Sequence, residues 1–165
     1  MKHTTIAIDN GTTGSIGIIL GDGRATFTAI PAKDELTGKD GKVIKRIDHH
    51  ELELALANFL SAPCRAFIER PFTGGPMMIN TSLLAARAYE ATIIVMERLG
   101  IGWQRVDSRE WQSAMLPGVK GSSALKTASR LRGIQLYPMH ATAIKDHRSE
   151  EHTSELQSHS FISYA

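Results

Sequence analysis

The sequence lacks the defining features of several protein classes. It holds a single cysteine, Cys64, among 165 residues, which excludes an intramolecular disulfide. No window approaches the ~20 apolar residues of a membrane span, and no basic N-terminal region precedes a long apolar stretch. His49 and His50 have no Cys or His partner at the spacing of a zinc site. We therefore expect a cytoplasmic protein with no membrane partner, in which Cys64 is a small hydrophobic side chain.

Excess charge of one sign is also missing from the chain as a whole. Its 19 Lys and Arg against 17 Asp and Glu give a net charge of +2, which says little about nucleic acid. The distribution is uneven, because residues 105–147 contain seven Lys or Arg and three Asp or Glu. A composition of 42% hydrophobic and 22% charged residues is that of one ordinary globular domain.

Alternating apolar residues at the N-terminus predict an antiparallel meander of three strands, over 4–8, 15–20 and 25–30. Pro31 ends the third strand because proline cannot donate to a sheet. The polar stretch 33–46 carries two glycine-containing turn signals. We expect it to be an exposed, mobile loop or a small hairpin.

Helical and strand patterns alternate in the rest of the chain, and Asp or Ser residues mark the helix starts. The predicted elements are a helix of about three turns opened by a capping box at Asp48 and Glu51, a strand over 65–69, a helix over 80–99, a strand over 103–106, a helix from a second capping box at Asp107 and Glu110 through Met115, and a helix capped by Ser122 or Ser123 that ends before Gly133.

This order predicts an α/β fold with a mixed central sheet, antiparallel in the meander and parallel beyond it, flanked by helices. The longest helix, 80–99, is expected to cross the sheet and to stop at Gly100. Its inward face is expected to consist of apolar residues at helical spacing, namely Leu83, Leu84, Ala88, Ala91, Ile94, Val95 and Leu99.

Two acidic residues stand at the ends of buried strands. Asp9 follows the first apolar run and enters a turn rich in Gly and Thr, and Glu69 ends the strand over 65–69. Either acid alone fits a turn or surface residue, but together they predict neighbouring carboxylates at one sheet edge. Carboxylates so close repel unless divalent cations lie between them, and Mg²⁺ prefers such oxygen ligands. Paired metal ions about 4 Å apart suit phosphodiester cleavage.

Five segments together resemble the RuvC family of Holliday-junction resolvases, in its phage and prophage-like branch. They are IAIDNGTTGSIG around Asp9, FIERPF around Glu69, VDSREWQ at 106–112, GVKGSSALK at 118–126, and LYP followed by Lys145, Asp146 and His147. The resemblance covers residues 4–147. It implies a ribonuclease H-like fold, a homodimer, and a Mg²⁺-dependent endonuclease that nicks four-way DNA junctions with two metal ions, for which Mn²⁺ can substitute.

The resemblance also implies individual roles. Asp9 and Glu69 match the first two metal ligands, Asp146 or His147 matches the third, and Phe72 matches an aromatic that stacks on bases near the junction. The basic segment and helix implied to contact DNA include Lys120, Ser122, Lys126 and Arg130. Trp103 and Trp111 are expected to be packing residues rather than base-stacking platforms.

The chain departs from the family after His147. There the family has a helix that carries its last acid and an apolar face, whereas residues 148–165, RSEEHTSELQSHSFISYA, are polar and resemble a translated sequencing-adapter fragment. We expect a truncated nuclease domain over 1–147 and a non-native or disordered tail. Glu150 then takes the place of the lost acid by accident, one helical turn from His147.

Two other functions fit parts of the sequence. Because the last ligand is lost, the chain could be a DNA-junction-binding module without catalysis. The turn after Asp9 also resembles the phosphate-binding turn of sugar-kinase, actin and heat-shock-chaperone ATPases, which share the ribonuclease H-like topology. Those proteins close two such lobes around a nucleotide in chains more than twice as long, and no second copy of the turn occurs here.

Overall fold

A computed structural model describes residues 3–37, 41–60, 62–71 and 79–141. Within these ranges, seven strands and four helices follow one another along the chain. They are β1 (Thr4–Asp9), β2 (Ser15–Ile19), β3 (Ala25–Ala29), β4 (Ala32–Thr37), β5 (Lys42–Ile47), α1 (His49–Ala57), β6 (Cys64–Glu69), α2 (Ile79–Arg98), β7 (Gly102–Val106), α3 (Ser108–Met115) and α4 (Ser122–Leu136), followed by a 3₁₀ turn at Pro138–His140.

The main sheet has five strands in the order β3-β2-β1-β6-β7. The β1–β2 and β2–β3 pairings are antiparallel, whereas the β1–β6 and β6–β7 pairings are parallel. This is the predicted mixed sheet, antiparallel in the meander and parallel beyond it. The strand β1 lies at its centre, so side chains of β1 meet packed helices on both faces.

Alternate residues of the central strands belong to two hydrophobic cores, one on each face of the sheet, because successive strand side chains point to opposite faces. On one face, Ile6 and Ile8 pack with residues of α1 and α2, including Leu52 and Val95. On the other face, Ala7, Phe67 and Val106 pack with Trp111 of α3 and Leu116, and α4 adds partly buried residues. The domain is therefore a three-layer α/β/α arrangement. No helix among the described residues is long and apolar enough to cross a membrane.

The stretch predicted as a loop or small hairpin is a two-stranded antiparallel hairpin of β4 and β5. Buried Ile47 anchors its base in the core. Two ion pairs tie it to helices, from Lys33 to Asp48 at 3.0 Å and from Arg87 to Glu35 at 3.1 Å. The hairpin therefore packs against the domain and contacts α2.

Only one of the two predicted capping boxes is complete. In α3, the Asp107 carboxylate accepts from the helix N-terminus while Glu110 reaches back to the Asp107 backbone N–H. In α1, Asp48 accepts from the backbone N–H groups of His50 and Glu51, but its own N–H donates to the Pro31 carbonyl at 2.9 Å. The hairpin connection occupies the donor that Glu51 would need.

The helix α2 ends as predicted, but fewer of its apolar residues are buried than predicted. Gly100, at φ 65°, donates to the Glu97 carbonyl and Ile101 donates to the Met96 carbonyl, which together form a Schellman motif. Three residues predicted to face inward are exposed instead: Leu83 (57%), Ile94 (45%) and Leu84 (36%).

The helix α4 corrects two predictions. It continues past Gly133 to Leu136, and Gly133 is buried within it despite the roughly 1 kcal/mol propensity cost of a helical glycine. Its N-cap is Gly121, at φ 92°, which makes no side-chain cap hydrogen bond, so neither Ser122 nor Ser123 is the cap.

The turn between β1 and β2 depends on Gly14. Its N–H donates to the Gly11 carbonyl at 3.0 Å, and an added Cβ would lie 2.0 Å from the Asp9 carbonyl oxygen. We expect Gly14→Ala to destabilise the fold by about 2–3 kcal/mol, because backbone atoms must shift. A Cβ at Gly11 meets nothing within 4 Å. Urea unfolding of Gly14→Ala and Gly11→Ala checks this, and equal midpoints would contradict it.

Candidate active site

Asp9 and Glu69 lie side by side at one edge of the sheet. In the parallel β1–β6 pair, Ile8 is opposite Ile68, so the next residue of each strand is one of the two acids. Adjacent strands are about 4.8 Å apart, which brings the two side chains within reach of one ion. The predicted neighbourhood of the two carboxylates is therefore confirmed.

Burial and repulsion from a neighbouring carboxylate disfavour charge on each of these acids. Burial raises the pKa of Asp9 well above its usual range, and the charge of Glu69 raises it further. Burial likewise raises the pKa of Glu69 to about 7, with a smaller contribution from Asp107. A hydrogen bond from Trp111 acts in the opposite direction. At neutral pH the pair needs a cation to be fully ionised.

Trp111 holds one oxygen of Glu69. Its indole Nε1 donates to Glu69 Oε2 at 3.0 Å, and the side chain is fully buried beneath the sheet edge. The prediction that Trp111 is a packing residue is confirmed, but the hydrogen bond was not predicted. Trp103, predicted as a second packing residue, lies on the edge strand β7 and is 36% exposed.

A third carboxylate, Asp107, lies beside the pair but is already engaged. It follows β7, whose last residue Val106 is opposite Glu69. Its side chain caps α3 by accepting from the Arg109 N–H at 2.9 Å and pairs with Arg70. The sequence predicted Asp107 as a helix cap alone. Asp107 raises the pKa of Glu69, but less than burial does.

The donor set formed by Asp9 and Glu69 fits a hard divalent cation. Neither carboxylate forms an ion pair with a residue that the structure describes. Two desolvated carboxylates without a cationic side chain are the kind of oxygen ligands that Mg²⁺ and Mn²⁺ take. They are only part of a site, since no group of three or more potential ligands occurs within the described ranges.

The other residues predicted at the metal site, and the predicted stacking aromatic, belong to segments that the structure leaves undescribed. These residues are Phe72, Asp146, His147 and Glu150, together with the whole tail 148–165. Their positions relative to Asp9 and Glu69 stay predictions.

The predicted DNA-contacting residues lie on or just before α4, on the sheet face opposite α1 and α2. Lys120, Ser122 and Lys126 are exposed, and Arg130 is half-buried. Lys126 and Arg130 are four residues apart, so they share one side of the helix. The layer that contains α4 also contains Trp111, so both belong to the core beneath Ala7 and Phe67.

Comparison with known proteins gives a structural likeness without a sequence match. No protein-family model and no curated protein matches the chain. A RuvC structure from Thermus thermophilus matches with a TM-score of 0.55 at 13% identity, over 95% of this chain and 91% of that one. The same organism's RuvC in complex with a Holliday junction substrate matches with a TM-score of 0.56 at 11% identity, over 96% and 90%. The chain thus has a ribonuclease H-like fold of the RuvC kind.

Proposed function

We propose that this protein is a divalent-metal-dependent endonuclease that resolves four-way DNA junctions by paired phosphodiester hydrolysis. The observation that carries the proposal is the placement of Asp9 and Glu69, two partly buried acids with raised pKa values, on adjacent parallel strands of a RuvC-like sheet. One of the two matching RuvC structures is a complex with a Holliday junction. The phage-type sequence motifs support the same function.

The metal ligands are Asp9 and Glu69, completed by Asp146 or His147 and by Glu150 from the undescribed C-terminal segment. Two Mg²⁺ ions, or Mn²⁺ in their place, supply activation of water and stabilisation of the leaving oxygen in this class of reaction. The chain's own contribution is to hold two carboxylates side by side at the ends of β1 and β6. Because their pKa values are raised, both acids give up protons as metal binds.

The DNA ligand lies, in this proposal, against the basic segment that includes Lys120, Ser122, Lys126 and Arg130. Exposed cations at helical spacing contact phosphates and make binding steeply salt-dependent. Phe72 would stack on a base near the junction point. This basic segment lies within residues 105–147, where Lys and Arg outnumber Asp and Glu by seven to three.

We propose that the protein is a homodimer whose interface is formed by exposed apolar residues of α2. Ile79 is 78% exposed and Leu83 57%, and Ile94 lies three helical turns beyond Leu83 on the same side. We expect Leu83→Glu to weaken dimerisation at least about tenfold, because a charge is desolvated at the interface. Sedimentation equilibrium measures this. Leu131→Glu is the control, since Leu131 is 53% exposed on the opposite layer. Equal dimerisation of both variants would contradict the proposed interface.

One experiment tests the function directly. The full chain is incubated with an end-labelled synthetic four-way junction, with and without Mg²⁺, at several salt concentrations. Symmetric nicks in opposed strands that require Mg²⁺ support the proposal. Salt-sensitive binding without cleavage favours the non-catalytic module instead. Absence of junction binding together with ATP hydrolysis would overturn both and favour the ATPase relationship.

A further inference from the structure

In the part of the chain that the structure describes, the carboxylate of Glu69 is held through one of its two oxygens. Trp111 donates to Oε2, and no other hydrogen bond to Glu69 is present among the described residues. An indole N–H is a donor without acceptor capacity, so this contact stabilises the ionised carboxylate and engages Oε2, not Oε1. Oε1 belongs to the acid that neighbours Asp9 across the β1–β6 pair.

The helix that carries Trp111 is fastened to the same sheet edge from two directions. Asp107 caps α3 and pairs with Arg70, the residue directly after Glu69. The Arg70 backbone N–H donates to the Val106 carbonyl at 2.9 Å, which continues the pairing of β6 with β7. The residue after Glu69 is thus bound to both β7 and the N-cap of α3. Trp111 reaches Glu69 from this helix, whose first turn is fixed by the same contacts.

We propose that Trp111 is a positioning residue for the metal site. It fixes the Glu69 side chain in the rotamer that presents Oε1 beside Asp9, before any cation binds. A glutamate at a strand end otherwise keeps its rotamer freedom, and ordering that side chain opposes binding. This inference rests on the proposed function, because it concerns the cation that Asp9 and Glu69 would share.

Removing the indole N–H tests the proposal with a readout that does not depend on cleavage. We expect Trp111→Phe to weaken Mn²⁺ binding at least about tenfold by calorimetry, as loss of outer partners of metal ligands does. Trp103→Phe is the matched control, because Trp103 is partly exposed on β7 away from Glu69, and its affinity should equal that of the wild type. Circular dichroism compares the fold of all three proteins. Unchanged Mn²⁺ affinity in a folded Trp111→Phe protein would overturn the positioning role.

A second measurement leaves Trp111 in place. The chain has two tryptophans, so Trp103→Phe leaves one indole N–H signal in a ¹⁵N-labelled protein. We expect this signal to shift during Mg²⁺ titration, and Glu69→Gln added to Trp103→Phe to abolish the response. A signal that stays constant while calorimetry detects binding would overturn the positioning role alone. Absence of any Mn²⁺ or Mg²⁺ binding by the wild type would overturn the proposed metal site with it.

Discussion

Replacing Asp9 by asparagine is expected to lower Mg²⁺-dependent junction cleavage at least about 1,000-fold, equivalent to roughly 4 kcal/mol of transition-state stabilisation. The substitution keeps the shape of the side chain but removes the charge that would hold the cation beside Glu69. Single-turnover cleavage of a labelled four-way junction measures the effect. Junction binding in Ca²⁺ or without metal should stay within about threefold of the wild type, since phosphate contacts from the basic segment are intact.

The same variant should be more stable than the wild type without metal at pH 8. Burial and the neighbouring Glu69 charge disfavour an ionised Asp9, and a neutral amide relieves both. Asp34→Asn is the control, because Asp34 is an exposed acid on the β4–β5 hairpin, and neither cleavage nor stability should change. Robust cleavage by Asp9→Asn would show that the reaction does not use this site.

The fold was largely predictable because its strands carry strong local signals. The apolar alternation of the first 30 residues defines β1, β2 and β3, and the acids Asp9 and Glu69 mark where β1 and β6 leave the core. A parallel neighbour for β1 followed from the helices between later strands. What could not be predicted was which apolar residues of α2 are buried, since the same pattern includes Val95, which is fully buried, and Leu83, which is 57% exposed.

Of the candidate site, the sequence predicted only the two acids that stand at the ends of strands. Nothing in the sequence links Glu69 with Trp111, which are 42 residues apart and belong to different elements. The signal existed in the topology: α3 starts where β7 ends, and β7 lies beside β6, so the inner face of α3 lies next to Glu69. Asp107 was likewise recognised as a cap, but its pairing with Arg70 depends on the β6–β7 register.

The metal-free protein is expected to lose stability as the pH rises from 5.5 to 8. A carboxyl group whose pKa is higher in the folded than in the unfolded state stabilises the fold while protonated, and this contribution disappears as the pH passes the folded value. For Glu69 the pKa rises from 4.5 to about 7. One pKa unit corresponds to about 1.4 kcal/mol, and in the unfolded chain the Glu69 carboxyl is already mostly ionised at pH 5.5. Its ionisation in the folded state between pH 5.5 and 8 therefore lowers the stability by about 2 kcal/mol, and Asp9 changes it in the same direction.

Calorimetry at the two pH values, with and without Mg²⁺, isolates this effect. The expected fall in Tm from Glu69 is about 4–8 °C for a chain of this size. At pH 8, Mg²⁺ should raise the Tm, because it binds the ionised pair. At pH 5.5 it should leave the Tm unchanged, because protons compete for the same oxygens. The double variant Asp9→Asn, Glu69→Gln contains neither acid, so its Tm records all other titrating groups and should not respond to Mg²⁺. If the wild type followed the double variant at both pH values, these carboxyl groups would not be the desolvated pair that binds the metal.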